Sequence, residues 1–431
     1  MKSLDDYICI VGGKPLKGTI SVQGSKNAAL PMMAASLLHR GISVLKTCPR
    51  ITDVFCMEKI LQALGAVTWW EDHDLYMDCT NADKEEIPEM YTGRMRSSVI
   101  LLGAMLARNG KGRLGYPGGC VIGSRPIDLH FYALRQLGAV IKKDQVIQGI
   151  APSGLLGNQI LFSKRSVGAT QQAILASVLA KGKTIIKNPA REPEILWLCR
   201  YLKTMGAQIE GEGTDCIFIE GKDELGAGCM KIPPDRIVAG TYICAAAATR
   251  SEITLENVPE GELDAFLDVY CKMGGQYKGK SGKLIVNGQN IHCPVKLLKT
   301  DVYPGFPTDL QSQLMAVLTT VTGKSLIREQ IFEDRYKAAG ELVEMGAHIK
   351  ICGREAYIEG GYPLYGRQVS ARELRGGAAL VIAALCAKGT TKISGYSFIS
   401  RGYEHICQDL AGAGARISLG RAADSRGILE S

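Results

Sequence analysis

Hydrophobic and polar positions in this chain repeat over a long period. A helix-ending signature, an apolar residue followed by Gly-Ala or Gly-Gly and a β-prone pair, recurs as LQALGAVTW, LRQLGAVIK, LKTMGAQIE, CKMGGQYK, LVEMGAHIK and LAGAGARIS. Its central glycines are Gly65, Gly138, Gly206, Gly274, Gly346 and Gly414, so successive copies lie about 70 residues apart. Each copy predicts a helix stopped by a left-handed glycine and followed at once by a strand. Upstream of most copies lies a second apolar stretch rich in small residues: NAALPMMAASLLH, SSVILLGAMLA, ATQQAILASVLA, IVAGTYICAAAA, DLQSQLMAVLTTV and GGAALVIAAL. Being apolar on most sides, these stretches predict buried helices. Five of the six run into a short β-prone segment: GISVLKTC, GKTIIKNP, SEITLENV, GKSLIREQ and GTTKISGY. The predicted unit is therefore strand, buried helix, strand, amphipathic helix, strand.

Six such units, three to a domain, predict two similar α/β globules with small sheets facing outward and helices packed inward. An open doubly wound sheet would also alternate strand and helix. It ranks lower because VGGKPLKG and PGGCVIGS lack the GxGxxG spacing and the strand-to-helix setting of a dinucleotide loop. The two prolines of KIPPDRI place a hinge near residues 231–237.

Composition changes this picture little. At 431 residues the chain suits two domains, and 46% hydrophobic with 22% charged residues is ordinary globular usage. The start, with Asp5 and Asp6, lacks the basic region of a signal peptide, and no apolar stretch is long enough for a membrane span, which together predict a cytoplasmic protein with no membrane partner. The 14 cysteines form no CxxC pair and no metal-ligand spacing, and their apolar neighbours predict that most are reduced core residues; no metal is expected. The net charge of +8 is dispersed, which favours small anions over nucleic acid as partners.

Candidate chemistry gathers where the chain enters the buried helices: Lys26 and Asn27, Arg96, Lys164 and Ser166, Asp235 and Arg236, Asp309, and Glu373 with Arg375. Ser, Asp and Asn there are ordinary N-caps. Cations are disfavoured at a helix N-terminus unless an anion accompanies them, so repeated Lys and Arg point to an anionic ligand. Cys120, in PGGCVIGSRPIDLH, differs from the other cysteines in lying among glycines and polar residues close to Arg125, a setting that lowers a thiol pKa. From composition alone a loop cysteine is more often inert than catalytic, and spacing does not decide between the two. His130 is the only one of the six histidines near this segment, so a Cys/His catalytic pair finds little support.

In order along the chain, GSKNAALP, MRSS, PGGCVIGSRPIDLH, KRSVGAT, AREPEI, PDRI, FPTDLQ, IFEDR and RGYE resemble the UDP-N-acetylglucosamine 1-carboxyvinyltransferase family of enolpyruvyl transferases over nearly the whole length. The resemblance implies an inside-out α/β barrel pair with three repeats per domain. One domain would span 22–232 and carry the Cys120 loop, the other 1–21 with 233–431, and the active site would lie in the cleft between them. It implies the substrates phosphoenolpyruvate and UDP-N-acetylglucosamine, and no cofactor. Lys26, Asn27, Arg125, Arg375 and Arg401 would meet phosphoenolpyruvate, and Cys120, Asp309 and Lys26 would be catalytic. Arg96, Arg125, Pro126, Ile127, Asp128, Leu129, Lys164, Arg165, Ser166, Val167, Asp309 and Ile331 would bind the sugar nucleotide. No obligate protein partner is implied.

The match has departures. Glu373 stands where the family usually has aspartate, Ser400 where an acidic residue is common, and Ile100 where some members have tryptophan. The rival readings are a catalytically impaired sugar-nucleotide-binding paralogue, which Glu373 and Ser400 keep open, and the sister transferase acting on shikimate 3-phosphate. GSKN together with Cys120 argues against the latter.

Overall fold

Glycine sets the local architecture. All six signature glycines have φ between +89° and +109°, a region that costs other residues about 1 kcal/mol or more, so each helix ends there and the chain turns directly into a strand. The computed structural model describes residues 6–118 and 122–421, and Cys120 therefore lies outside the described residues. The described chain divides into two bodies: an N-terminal body of 24–118 with 125–233, and a C-terminal body of 6–23, 122–124 and 234–421.

Each body contains three four-stranded sheets. All six share one plan: a parallel outer pair, then two antiparallel neighbours. Gln159–Leu161 runs parallel to Lys183–Lys187, which pairs antiparallel with Cys216–Glu220, itself antiparallel to Gln208–Glu210. The unit thus has a fourth strand, forming a hairpin after the glycine signature, that the sequence pattern does not supply. Three sheets borrow a strand from far along the chain. Tyr7–Val11 completes the sheet of Thr390–Ser394, Lys17–Ser21 lies parallel beside Glu252–Glu256, and Cys229–Lys231 lies parallel beside Ile42–Lys46. Among the described residues each sheet remains an open set of four strands, and no closed barrel forms.

The small-residue stretches form the inner helices as expected. Arg236–Ala248 and Gln311–Thr319 are buried at every position, and Leu374–Cys386 is buried at all but its last. These three pack pairwise on one another. Glycine allows part of this approach: a Cβ on Gly240 would sit 2.5 Å from Leu310 Cδ1. In the N-terminal body Leu101–Asn109 packs on Val167–Ser177 and Lys26–Ser36 on Leu101–Asn109, with Gly103 facing the Gln172 backbone. The strands alternate, as in Thr390–Ser394, with every second residue turned to the core.

The cysteines correct one expectation. Of the thirteen described, only Cys48, Cys79, Cys199 and Cys244 are buried, while Cys229, Cys271 and Cys352 are exposed and the rest intermediate. Apolar neighbours in sequence do not bury a residue on the outer face of a strand, because side chains alternate across it. Exposure therefore does not single out Cys120. No helix among the described residues is long and apolar enough to cross a membrane.

Candidate functional site

Side-chain carboxylates and hydroxyls start several of the inner helices. Ser25 accepts from Ala28 N, Ser166 from Ala169 N, Asp235 from Ile237 N and Val238 N, and Glu373 from Arg375 N and Gly376 N. The capping interpretation is correct for these residues. It does not account for the cations beside them.

In the C-terminal body those cations converge on Asp309. Pro307 ends an extended segment, and the short turn Thr308–Leu310 carries Asp309 into the start of Gln311–Thr319. Arg335 Nη2 donates to Asp309 Oδ1 at 2.7 Å, and Arg375 Nη2 donates to Oδ2 at 2.9 Å. Both guanidiniums are nearly fully buried. Burial alone would pull Arg375 down, yet Asp309, Tyr403 and Asp235 outweigh it and hold its pKa above the ordinary arginine value. Neighbouring backbone is fixed by Glu329, buried at 1% exposure, whose carboxylate accepts from Ile331 N at 2.8 Å, Phe332 N at 3.1 Å and Thr308 Oγ1 at 3.0 Å. That turn presents half-buried Ile331. Asp334 N, three residues on, donates to Ile122 O at 3.1 Å within this body. Arg401 is half-buried in the turn before Ile406–Gly412.

In the N-terminal body the charge balance is different. Arg96 opens the 3-10 turn Arg96–Ile100, and its pKa falls to about 10, first through burial and then through Arg125. Arg125 has φ +40°, a left-handed conformation unusual for arginine, and Pro126 and Ile127 lead from it into helix Asp128–Gln136. Asp128 is exposed on the first turn, Leu129 is buried, and His130 is buried with its ring against Gly168 and Nδ1 bonded to Gln172 Oε1. Burial, with Arg96 and Arg125 acting in the same sense, lowers the His130 pKa to about 4, so the imidazole is neutral at ordinary pH. This removes it as a cationic partner for Cys120.

Lys26, at the first position of Lys26–Ser36, pairs at 3.3 Å with Asp53 in the first turn of Thr52–Leu64. The carboxylate offsets a cation that the helix dipole disfavours. Asn27 is half-buried beside it. Lys164 is exposed, Arg165 pairs with Asp215 at 2.8 Å, Ser166 caps the helix and Val167 begins it.

The structure thus joins Asp309 to Arg375 and Lys26 to Asp53, and places Arg96 within electrostatic reach of Arg125. Asp53, Gln172, Glu329, Arg335 and Tyr403 escape the sequence reading as site residues. Arg335 and Tyr403 lie inside the quoted IFEDR and RGYE, which is the only sequence signal they carry. Within either body taken by itself, the described residues bring no three metal-ligating side chains together.

A family model for EPSP synthase (3-phosphoshikimate 1-carboxyvinyltransferase) matches residues 10–410. The chain is 43% identical over 408 residues to UDP-N-acetylglucosamine 1-carboxyvinyltransferase 2 of Caldanaerobacter subterraneus, covering 95% of this chain and 98% of that one. It is 41% identical over 413 residues to UDP-N-acetylglucosamine 1-carboxyvinyltransferase of Trichlorobacter lovleyi, covering 96% and 98%. Among solved structures, the enolpyruvyl transferase NikO from Streptomyces tendae superposes with a TM-score of 0.86 at 23% identity, covering 96% of this chain and 99% of that one. EPSP synthase from Acinetobacter baumannii gives 0.73 at 18% identity, covering 96% and 100%. These two structures share the fold, a mixed α/β architecture.

Proposed function

The chain belongs to the EPSP synthase (3-phosphoshikimate 1-carboxyvinyltransferase) family, and we propose that it transfers the enolpyruvyl group of phosphoenolpyruvate to the 3-hydroxyl of UDP-N-acetylglucosamine, releasing phosphate. This is the first committed step of peptidoglycan precursor synthesis, carried out in the cytoplasm. The observation that carries the reading is the Asp309 carboxylate held between Arg335 and Arg375, a polar centre built into the entrance of an inner helix. The 41–43% relatives favour the sugar nucleotide over shikimate 3-phosphate as acceptor.

Phosphoenolpyruvate is a poor electrophile until its methylene carbon is protonated, which makes the adjacent carbon oxocarbenium-like. Cys120, outside the described residues, delivers that proton. The sugar 3-hydroxyl attacks, Asp309 accepts its proton, and a phosphate-bearing tetrahedral ketal forms. The Cys120 thiolate then takes back a proton from the methyl group so formed as inorganic phosphate leaves, which regenerates the enol ether. Lys26, Asn27, Arg125, Arg375 and Arg401 hold the carboxylate and phosphate and stabilise the leaving charge. Arg96, the 125–129 segment, the 164–167 segment and Ile331 hold the sugar nucleotide. The depressed pKa of Arg96 beside Arg125 supports an anion there, because a bound diphosphate would relieve both burial and like charge. In this reading the six sheets are six repeats, three in each of the domains 22–232 and 1–21 with 233–431.

The test is phosphate release from phosphoenolpyruvate, with and without UDP-N-acetylglucosamine, for the native chain and Cys120→Ser. Sugar-dependent release that falls at least about 100-fold in the variant is expected, the usual size of a lost general acid. A well-folded native chain that releases no phosphate would sink the transferase reading.

A further inference from the structure

The three inner helices of the C-terminal body each contribute one polar side chain to a single buried point. Thr241 lies on Arg236–Ala248, Gln313 on Gln311–Thr319 and Arg375 on Leu374–Cys386, and they meet at the hydroxyl of Tyr403. Tyr403 and Gln313 are fully buried, and Thr241 and Arg375 are 2% and 3% exposed. A cluster of this kind in a helix core is costly unless its donors and acceptors match.

Here all but Gln313 Oε1 match, and in one order. Thr241 Oγ1 donates to Ile237 O at 2.8 Å, so its lone pairs face inward. The Tyr403 hydroxyl, 2.8 Å away, donates to that oxygen. Gln313 Nε2 lies 3.2 Å from Thr241 Oγ1 and 3.4 Å from the phenol oxygen, and Arg375 Nη1 lies 3.5 Å from the phenol oxygen. Both nitrogens can only donate, so the phenol accepts from them. The Arg375 Cζ also sits 5.8 Å from the centroid of the Tyr403 ring. Burial raises the Tyr403 pKa against the pull of Arg375, which keeps the phenol neutral. Tyr403 therefore orients Arg375 without cancelling its charge.

We propose that Tyr403 is a positioning residue for the transferase reaction: its hydroxyl, oriented by Thr241, fixes the plane of the Arg375 guanidinium and so directs it at Asp309. One contact pins one corner of a planar guanidinium and leaves it able to rotate. A second contact, on the other terminal nitrogen, fixes the plane. Asp309 supplies the first at 2.9 Å and Tyr403 the second. The proposal rests on the transferase reading above.

A double-mutant cycle on the full chain tests it, using Tyr403→Phe, Arg375→Lys and the pair, with sugar-dependent phosphate release and thermal unfolding measured together. Tyr403→Phe is expected to lower kcat about tenfold, to move either KM by less than about threefold, and to leave Tm within about 3 °C. In the Arg375→Lys background the same substitution is expected to change kcat by less than about twofold, since its effect passes through the lost guanidinium. Equal losses in both backgrounds, or an unchanged kcat, overturn the proposal. Thr241→Val removes the acceptor of the phenol proton and carries the same cycle if Tyr403→Phe does not fold. A native chain without turnover contradicts the transferase reading instead. The inference is then read from arginine-labelled NMR, where Arg375 Nη signals that are resolved in the native chain should average in Tyr403→Phe. Identical spectra overturn it.

Discussion

The two bodies share a sheet plan but differ in how they settle charge. In the C-terminal body Arg335 and Arg375 meet Asp309, and the Tyr403 hydroxyl receives donors from two inner helices. In the N-terminal body Arg96 stands within electrostatic reach of Arg125, and the like charge of both helps keep the buried imidazole nearby neutral. In the first cluster two guanidiniums share one carboxylate, with Asp235 also acting on Arg375, and this fixed pairing suits a site that must hold geometry through a reaction. The second sets two like charges within reach of one another, an arrangement that an anionic ligand favours.

The largest test of this contrast is Asp309→Ala. It leaves two guanidiniums, each 3% exposed, facing one another without their shared carboxylate. A loss of about 3 kcal/mol is expected by urea denaturation, the low end for a broken buried pair because the Asp309 side chain is 28% exposed. Turnover should fall at least about 1000-fold, since the proposed acceptor of the sugar hydroxyl proton is lost as well. A variant as stable as the native chain would mean that the two buried guanidiniums do not depend on Asp309.

His130 tests the other body at nearly the same size. Its folded pKa, about 4, lies below the ordinary 6.5, so the unfolded chain takes up a proton that the folded one refuses. Stability from this group is fully present above about pH 6.5 and is lost as pH falls towards 4, by about 3 kcal/mol in all. Urea denaturation at pH 7 and pH 4 should show the native chain losing that much more than His130→Asn. Equal losses would contradict the neutral buried imidazole.

Arg96→Met is expected to separate binding from stability. Relief of like charge and of burial should raise stability by about 1 kcal/mol, while KM for UDP-N-acetylglucosamine rises at least about tenfold. A variant that loses both would place Arg96 in a structural ion pair. The smallest effect is expected at a signature glycine. Gly206→Ala, with φ +95° and no heavy atom within 4 Å of the new Cβ, should cost about 1 kcal/mol from backbone strain alone. Gly274→Ala in the other body, where the Cβ would run into the Asn290 carbonyl, should cost more. Thermal unfolding of the two variants side by side checks the order.

Much of the fold is legible in the sequence because helix periodicity and a glycine stop are local signals. The fourth strand of each unit is not: Asp74–Asp78, Ile147–Ile150 and Cys216–Glu220 are four or five residues long. The partner strands Glu86–Ile87 and Leu298–Lys299 have two residues each, too few to show alternation. Tyr7–Val11 completes a sheet with strands near the other end of the chain, a pairing that no local pattern encodes. At the site, residues that begin a helix announce themselves, as Asp309, Arg375 and Lys26 do. Arg335, Thr241, Gln313 and Tyr403 matter only through what they touch after folding. The cysteines show the converse: Cys229 and Cys352 have the apolar neighbours of core residues but lie on exposed strand positions.

Steady-state kinetics of Arg96→Met and Asp309→Asn, measured against both substrates, tests most directly whether the Arg96 and Asp309 clusters divide binding from chemistry. Arg96→Met is expected to raise KM for UDP-N-acetylglucosamine with kcat within about threefold of native, and Asp309→Asn to lower kcat with KM nearly unchanged. If both variants moved the same constant, the division of labour between the Arg96 and Asp309 clusters would be contradicted.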